Sequence, residues 1–225
     1  MNESLRWNSH NWLVHKIIWD NLAEIIPKYA KGRLLDIGCA NKPYESLARS
    51  IVDEHIGLEH VNSHHQLSKA DIIADAYDTN QLNDSFDTIL STSVLEHLER
   101  PQEAIVEMYR ILKPGGHVIL TSPLFWHLHE EPRDFFRFTK YGLCYMFEEA
   151  GFQISEIRPL SGFLVTFAQE LVYFINPLKR TKLIAPIITL VQWSIQNIGY
   201  FVNKYDKSHN FTWLYLVIAR KDEQY

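Results

Sequence analysis

The strongest constraint on the fold of this chain is the order of its short apolar runs. Most are separated from the next by a segment with helical periodicity. Strands joined through helices need crossover connections, and crossovers produce parallel pairing. Runs that are apolar throughout are typical of strands covered on both faces. The predicted strands are RLLDIG (33–38), HIGLE (55–59), DIIAD (71–75), FDTILST (86–92), HVILTSP (117–123), QISEIRP (153–159) and, after a long aromatic segment, TWLYLVIAR (212–220).

Helices are expected where apolar residues recur three and four positions apart. Prolines suit the first turn of a helix, and a proline or glycine ends one. The predicted helices cover 8–29, 43–51, 101–112 and 139–150, with Pro27, KPGG (113–116) and Gly151 as stops, Pro43 and Pro101 in first turns, and Thr139 as a cap. These elements together predict an α/β fold with a doubly wound, mostly parallel sheet.

The size of the chain suits one domain. It has 225 residues, of which 46% are hydrophobic, enough for one sizeable core. We expect a single domain over 1–225. Within it we expect an N-terminal helical segment (1–30), a cofactor-binding core (33–160), a helical insertion or lid (163–205) and a final strand (211–221).

Charge and cysteine content exclude some classes of protein. The formal net charge is -5, so no global basic field favours nucleic acid as a partner. The two cysteines, Cys39 and Cys144, form no CxxC pair, which argues against a disulfide framework and fits a reducing cytosol. The N-terminus MNESLRWNSHNW lacks the pattern of a signal peptide. We therefore expect a cytoplasmic protein.

The turn after the first strand is the first candidate ligand site, because ligands of such sheets bind beyond the carboxyl ends of the strands. Gly38, Cys39 and Ala40 are small enough for a ligand to approach the backbone closely. Asp36 can accept hydrogen bonds from an ammonium group. The free N–H groups of the helix expected near Pro43 suit a carboxylate.

The second and third strands end in acidic residues. Glu59, about 20 residues beyond the glycine turn, is positioned to accept both hydroxyls of a ribose. Asp75 can accept from an adenine amino group, and the Ala76 N–H can donate to a ring nitrogen. These groups fit a nucleoside bearing an amino acid, which is the shape of S-adenosylmethionine. Ser91 and Ser93, at the end of the fourth strand, are expected to form the wall beneath the sulfonium.

Three motifs resemble those of one known family, in its order and at its spacing. LLDIGCANKPY, FDTILSTSVLEHL and ILKPGGHVILTSP are similar to motifs of the class I methyltransferases that use S-adenosylmethionine, and the resemblance extends over about 33–151. It implies a Rossmann-like sheet of seven strands whose last strand is antiparallel, with S-adenosylmethionine as cofactor. By position it implies a cofactor site at Asp36, Gly38, Glu59, Asp75 and Ala76.

One residue departs from the family pattern. Ala40 stands where the family often has a second glycine, and a side chain is strained there if the backbone needs a positive φ. This departure leaves open the alternative of a non-catalytic, methyltransferase-like scaffold. A nucleotide-dependent oxidoreductase is disfavoured, because only Gly38 is present where a GxGxxG turn needs three glycines.

The segment 125–139 follows the fifth strand and is expected to lie over the methyl group of the cofactor. It interleaves rings, acids and arginines. If the acceptor is a hydroxyl, a general base helps as the oxygen attacks, and a histidine pKa of about 6.5 suits that task. Arginine forks can hold an anionic acceptor. We predict His127, His129, Glu130 and Asp134 as catalytic residues, and Trp126, Arg133 and Arg137 as acceptor-binding residues.

The same segment raises two further questions. The HxHE spacing of His127, His129 and Glu130 is also compatible with a metal site. No second cluster completes a coordination sphere and methyl transfer needs no metal, so no metal is predicted. The segment also resembles one found in methyltransferases of bacterial surface-polysaccharide and glycan pathways. That resemblance implies a small-molecule or glycan acceptor, including a lipid-linked one.

The aromatic segment 163–205 allows two interpretations. Its stretch 183–202 has no charged residue and follows the basic residues Lys179, Arg180 and Lys182. Because polar residues interrupt the stretch, a lid or dimer surface is favoured over a membrane span. The alternative is a helix lying on the inner face of a membrane through 179–205, with the basic cluster at the headgroups. The oligomeric state stays open.

Overall fold

The structure is a computed structural model that describes residues 6, 8–63, 65 and 67–223. The N-terminal helical segment expected over 1–30 falls in part on 1–5 and 7, which lie outside these residues. The stretch interpreted as lacking a signal peptide, 1–12, falls in part on the same positions. The end of the predicted single domain, 224–225, also lies outside them.

The elements alternate along the chain largely as expected. The strands are β1 (Arg33–Ile37), β2 (Glu54–Glu59), β3 (Ile72–Ile73), β4 (Phe86–Thr92), β5 (Leu112–Pro123), β6 (Gln153–Pro159) and β7 (Leu214–Arg220). The helices are α1 (Trp12–Tyr29), α2 (Glu45–Ala48), α3 (Pro101–Ile111), α4 (Lys140–Glu149), α5 (Phe163–Ile175) and α6 (Ala185–Asn203).

The strands form one sheet of seven in the described residues, in the order β3-β2-β1-β4-β5-β7-β6. β1 pairs in parallel with β2 and β4, and β4 pairs in parallel with β5. β7 runs antiparallel to β5, because Gly115 N–H donates to Lys221 O at one end and Leu124 N–H donates to Trp213 O at the other. The predicted fold class is confirmed. The strand order reverses between β1 and β4, which is where such sheets bind ligands.

The chain divides into two compact units, which we call the sheet unit and the helical unit. The sheet unit comprises 22–123, 128–158 and the described residues from 215 onward. The helical unit comprises 124–127, 159–214 and the described residues up to 21. Whether the chain is one domain stays a prediction. The helical insertion expected before the last strand is present as α5 and α6.

The core of the sheet unit is formed by apolar side chains of its central parallel strands. Leu35 and Ile89 are paired across β1 and β4, and both are fully buried. The middle stretches of the central strands are apolar because both faces of the sheet are covered. The fully buried aliphatic residues of β1, β4 and β5 are Leu34, Leu35, Ile37, Ile89, Leu90, Leu112, Val118, Ile119 and Leu120.

The first predicted helices differ from the structure near their prolines. α1 continues through Pro27 to Tyr29, and Ala30 N–H still donates to Ile26 O. The helix expected over 43–51 is only α2. Lys42 has a φ of 49°, which is outside the right-handed helical region, so Pro43 precedes the helix instead of opening it.

Two predicted strand boundaries are also wrong. KPGG (113–116) belongs to β5, because Gly115 N–H bonds to Lys221 O, and a Cβ on Gly116 would lie 2.9 Å from Asp87 O. The strand expected over 71–75 is reduced to β3. The Asp75 carboxylate accepts from Tyr77 N–H at 3.1 Å, and this local turn ends the pairing.

The helical unit has an unusual distribution of polar residues. On α6, Gln192 and Gln196 are buried, whereas Ile187 and Leu190 are about 60% exposed. Gln192 Nε2 donates to Val172 O, and Gln196 Oε1 accepts from Leu13 N–H. None of the helices in the described residues is long and apolar enough to cross a membrane.

Candidate cofactor and acceptor site

The turn after β1 requires glycine at its first position. Gly38 has a φ of 70°, and a Cβ there would lie 2.3 Å from Cγ2 of Val94, the residue before a short helical turn after β4. The N–H groups of Gly38 and Cys39 both donate to Leu58 O. The turn is therefore held by β2 and closely covered by the segment after β4.

Ala40 and Glu59 meet at the predicted ribose position. Ala40 has a φ of 44°, so the strain expected for a side chain at this position is present. Ala40 N–H donates to Glu59 Oε2 at 2.9 Å, and His60 N–H donates to Oε1 at 3.0 Å. A carboxylate has about four acceptor sites, so each Glu59 oxygen retains capacity for a ribose hydroxyl.

Asp36 lies in the interior, with only 2% of its surface exposed. Its Oδ2 is 3.0 Å from His55 Nε2, and burial raises the pKa of Asp36 above its usual value. The partner that the structure provides is His55, and contact with a cofactor ammonium group stays a prediction.

Cys39 and Lys42, also in the turn after β1, make packing and ion-pair contacts that stabilise the fold. Burial raises the pKa of the Cys39 thiol to about 12, so Cys39 is a packing residue and no nucleophile. Lys42 Nζ donates to Asp71 Oδ2 at 2.5 Å, and the same oxygen accepts from Gly57 N–H. This bridge across the start of β3 was missed by the sequence analysis.

The predicted adenine contacts are only partly arranged. Ala76 is 7% exposed, and one carboxylate oxygen of Asp75 accepts from Tyr77 N–H within a local turn. Contact of these residues with adenine stays a prediction.

Hydroxyl groups without hydrogen-bond partners line the ends of β4 and β5. Ser91 and Ser93 are the residues predicted to lie beneath the sulfonium. Each hydroxyl oxygen is buried without a hydrogen-bond partner in the described residues. Thr121 and Ser122 on β5 share that condition, and Ser93 N–H donates to Thr121 O. Buried hydroxyls are normally hydrogen-bonded, so this row suits a polar ligand or water.

Five side chains beyond β4 and β5 form what we call the activating cluster. Its members are Glu96, His97, His129, Glu130 and Asp134. The rings of His97 and His129 are 4.7 Å apart, and His97 Nε2 is 4.0 Å from Glu96 Oε1 and 3.9 Å from Glu130 Oε2. His129 Nδ1 is 3.3 Å from Asp134 Oδ2.

Glu96 is the most buried member of the cluster. Its side chain is 0% exposed, and neither carboxyl oxygen accepts a hydrogen bond from another residue in the described part of the chain. Burial raises its pKa to about 8. The backbone carbonyl of Glu96 accepts from Phe135 N–H and Phe136 N–H, which fixes the loop beyond β5 against it.

Asp134 and Glu130 remain charged because Asp134 has the guanidinium of Arg137 as its partner and Glu130 has the imidazole of His65. Arg137 donates to both oxygens of Asp134, at 2.6 and 2.8 Å. Despite the opposing effect of burial, that contact lowers the Asp134 pKa to about 2. Glu130 Oε1 is 3.3 Å from His65 Nε2, and this contact lowers the pKa of Glu130 and raises that of His65.

The predicted acceptor-binding residues have different surroundings. Arg137 holds Asp134, and the backbone carbonyl of Arg133 lies 2.6 Å from His97 Nδ1. Trp126 and His127 fall in the helical unit. There the ring of Trp126 is 4.7 Å from that of Trp213, and the ring of His127 is 4.2 Å from that of Tyr173. Their acceptor-side roles stay predictions.

The structure brings His129, Glu130 and Asp134 together within the sheet unit, and His127 belongs to the other unit. Sequence reasoning missed Glu96, His97 and His65 as members of this site. The signal available for the first two was the Glu-His pair directly after the fourth strand.

Residues 13–157, more than half of the chain, match the model of a family described as a methyltransferase domain. The chain belongs to this methyltransferase domain family. Membership in this family confirms the prediction of a methyltransferase domain.

Known proteins similar to this methyltransferase-domain chain differ in what they act on. It is 29% identical over 109 residues to a tRNA (carboxymethyluridine(34)-5-O)-methyltransferase of Arabidopsis thaliana, a match covering 46% of this chain. The match spans 27% of that relative, and a second curated relative is spanned over 55% of its length.

The fold is shared by solved structures of other proteins, among them two described next. A methyltransferase from Archaeoglobus fulgidus that depends on S-adenosylmethionine is 19% identical with a TM-score of 0.60, over 92% of this chain and 94% of that one. The [4+2]-cyclase SpnF is 22% identical with a TM-score of 0.60, over 91% and 81%. At these identities the likeness concerns the fold alone.

Proposed function

We propose that this chain transfers the methyl group of S-adenosylmethionine to a hydroxyl oxygen of a small-molecule or glycan acceptor. One observation carries the proposal. The Gly38–Ala40 turn with Glu59, and the activating cluster, both belong to the sheet unit and follow its parallel strands. The first set suits the cofactor and the second suits an acceptor hydroxyl. A curated relative named as a 5-O-methyltransferase supports oxygen as the acceptor atom.

The chemistry needs positioning and loss of one proton. The acceptor oxygen attacks the methyl carbon, the carbon–sulfur bond breaks, and the departing thioether is neutral. Holding the reactants in line supplies several kcal/mol of the rate enhancement. In the simplest form, His129 takes the hydroxyl proton, and Asp134, whose pKa of about 2 keeps it anionic, stabilises the resulting imidazolium.

Cofactor binding is the first test. Calorimetric titration of the full chain with S-adenosylmethionine should give binding that Glu59→Gln weakens by about 10-fold or more, because charged hydrogen bonds to the ribose are lost. Glu103→Gln, an exposed acid on α3, is the matched control and should bind like wild type. Absence of binding by folded wild-type protein would refute the proposal.

Acceptor class is the second test. Formation of S-adenosylhomocysteine is measured with sugars and oligosaccharides, with small phenols and alcohols, and with tRNA. Turnover with the hydroxyl compounds supports the proposal, and the glycan subgroup requires turnover with the sugars. Turnover with tRNA alone would refute the acceptor class. Cofactor binding with no turnover on any pool would favour the alternative of a non-catalytic scaffold.

Peripheral membrane contact through 179–205 is a second proposal, for location only, within a cytoplasmic setting. The exposed apolar residues of α6 and the preceding Lys179, Arg180 and Lys182 support it. Full-length protein should float with vesicles containing phosphatidylglycerol and less with purely zwitterionic vesicles. Ile187→Ser with Leu190→Ser should abolish flotation, and failure of the wild type to float would remove the proposal.

A further inference from the structure

We propose that Glu96, His97 and His129 bind one divalent transition-metal ion, with Zn²⁺ or Mn²⁺ as the chemical type. One ligand atom from each of the three residues lies within 4.8 Å of the others. Around an ion with bonds of about 2.1 Å, adjacent ligand atoms are about 3.0–3.4 Å apart and opposite ones about 4.2 Å. Side-chain movements that shift the ligand atoms by about 1 Å therefore suffice to bring all three within bonding distance of one ion.

The state of the Glu96 carboxyl is the independent observation that points to a ligand. It is completely buried, faces His97 at 4.0 Å, and has no hydrogen bond from another described residue. A buried acceptor left unsatisfied costs about 1–3 kcal/mol. A bound cation would interact with both carboxyl oxygens of Glu96. No other described residue donates a hydrogen bond to either of them.

Hydrogen bonds to the outer nitrogens prepare both histidines as ligands. His97 Nδ1 is 2.6 Å from the carbonyl oxygen of Arg133. A carbonyl only accepts, so Nδ1 carries the proton and the neutral ring offers the Nε2 lone pair. His129 Nδ1 faces Asp134 Oδ2 at 3.3 Å, which favours the same tautomer. A carboxylate or carbonyl behind a histidine is the usual support of a metal-ligating ring.

The donor set indicates the type of ion. Two imidazole nitrogens and one carboxylate suit Zn²⁺, Mn²⁺, Fe²⁺ or Co²⁺, whereas Ca²⁺ prefers six to eight oxygen atoms. Three protein ligands leave at least one position open for a water molecule or a substrate oxygen. The HxHE spacing suggested a different set. Of His127, His129 and Glu130, only His129 belongs to the proposed ligand group, which Glu96 and His97 complete.

The purpose of the ion rests on the proposed function. An ion at this position lowers the pKa of a coordinated hydroxyl, so that the acceptor reacts as the bound alkoxide. Its proton passes to Glu130, which lies 3.9 Å from His97 Nε2, and the alkoxide then takes the methyl group as the carbon–sulfur bond breaks. In this form of the reaction His129 is a ligand, and the ion replaces it in activating the hydroxyl.

The test measures ion binding without any turnover. Full-length protein is stripped with a chelator and titrated with Zn²⁺ by calorimetry and with Co²⁺ by visible absorbance. We expect one ion per chain, and about 10-fold or greater weakening in Glu96→Gln and in His129→Gln. His209→Ala, an exposed histidine of the helical unit, is the control and should bind like wild type. Thermal unfolding of every variant verifies folding.

Each outcome decides one of the two proposals. No ion bound by folded wild type, or unchanged binding in both ligand variants, overturns the metal site. Ion binding without S-adenosylmethionine binding supports the metal site and overturns the proposed function. Undiminished methyl transfer in chelator overturns the assigned role of the ion and leaves the proposed function standing.

Discussion

Replacing Gly38 with alanine tests whether the turn after β1 depends on close packing by Val94. The left-handed backbone at φ 70° costs a residue with a side chain about 1–2 kcal/mol. The new Cβ would lie 2.3 Å from Val94 Cγ2, and overpacking costs about 1–3 kcal/mol more. The loss of unfolded-state entropy returns about 0.4–1 kcal/mol. The sum is a destabilisation of about 1–5 kcal/mol.

Urea unfolding of a double-mutant cycle separates the two costs. In Val94→Ala the nearest remaining side-chain carbon is the Cβ, at 3.4 Å, an ordinary contact. Gly38→Ala should therefore cost about 1–3 kcal/mol less in the Val94→Ala background, and the backbone cost should persist. Gly142→Ala is the matched control, because its new Cβ meets only Thr139 Oγ1 at 3.4 Å within a helix, and it should stabilise the protein. Additive effects at Gly38 and Val94, or a cost below about 1 kcal/mol, would refute this reasoning.

Three further outcomes can be checked with similar methods. Ala40→Gly relieves a positive φ of 44° and should raise the free energy of unfolding by about 0.5–1 kcal/mol, measured with urea. Asp134 has a pKa lowered to about 2, so the ionised carboxylate contributes about 2 kcal/mol to the free energy of unfolding above pH 4. This contribution is lost as the pH falls through 2, and Asp134→Asn should remove that acid dependence. Glu96 has a pKa raised to about 8, so chelator-treated protein should lose stability as the pH rises from about 4.5 through 8. Glu96→Gln should flatten that slope, and a slope unchanged in this variant would show that another group causes it.

The placement of Gly38 and Glu59 at one edge of the sheet was predictable from the sequence because it depends on local order. Glu59 ends a strand and Gly38 follows one, and the carboxyl ends of parallel strands share an edge of the sheet. The length of the helix after Pro43 was less readable, since the left-handed backbone at Lys42 is a property of the folded turn.

The activating cluster depends on contacts distant in sequence. Glu96 becomes part of a site because the loop after β5 folds onto its backbone carbonyl, and no local pattern encodes that contact. The spacing of His127 and His129 suggested one group, yet the two fall in different compact units. The pairing of Arg137 with Asp134, three positions apart, was within reach of sequence reasoning.

Glu96 uses its backbone and its side chain for different tasks, and this limits how the site can evolve. Its carbonyl anchors Phe135 and Phe136, while its carboxyl faces His97. An insertion or deletion near Phe135 would displace the reactive groups together with the loop. New acceptor preferences should therefore arise by exchanging side chains along a loop of constant length, and natural variants should differ there in composition more than in length.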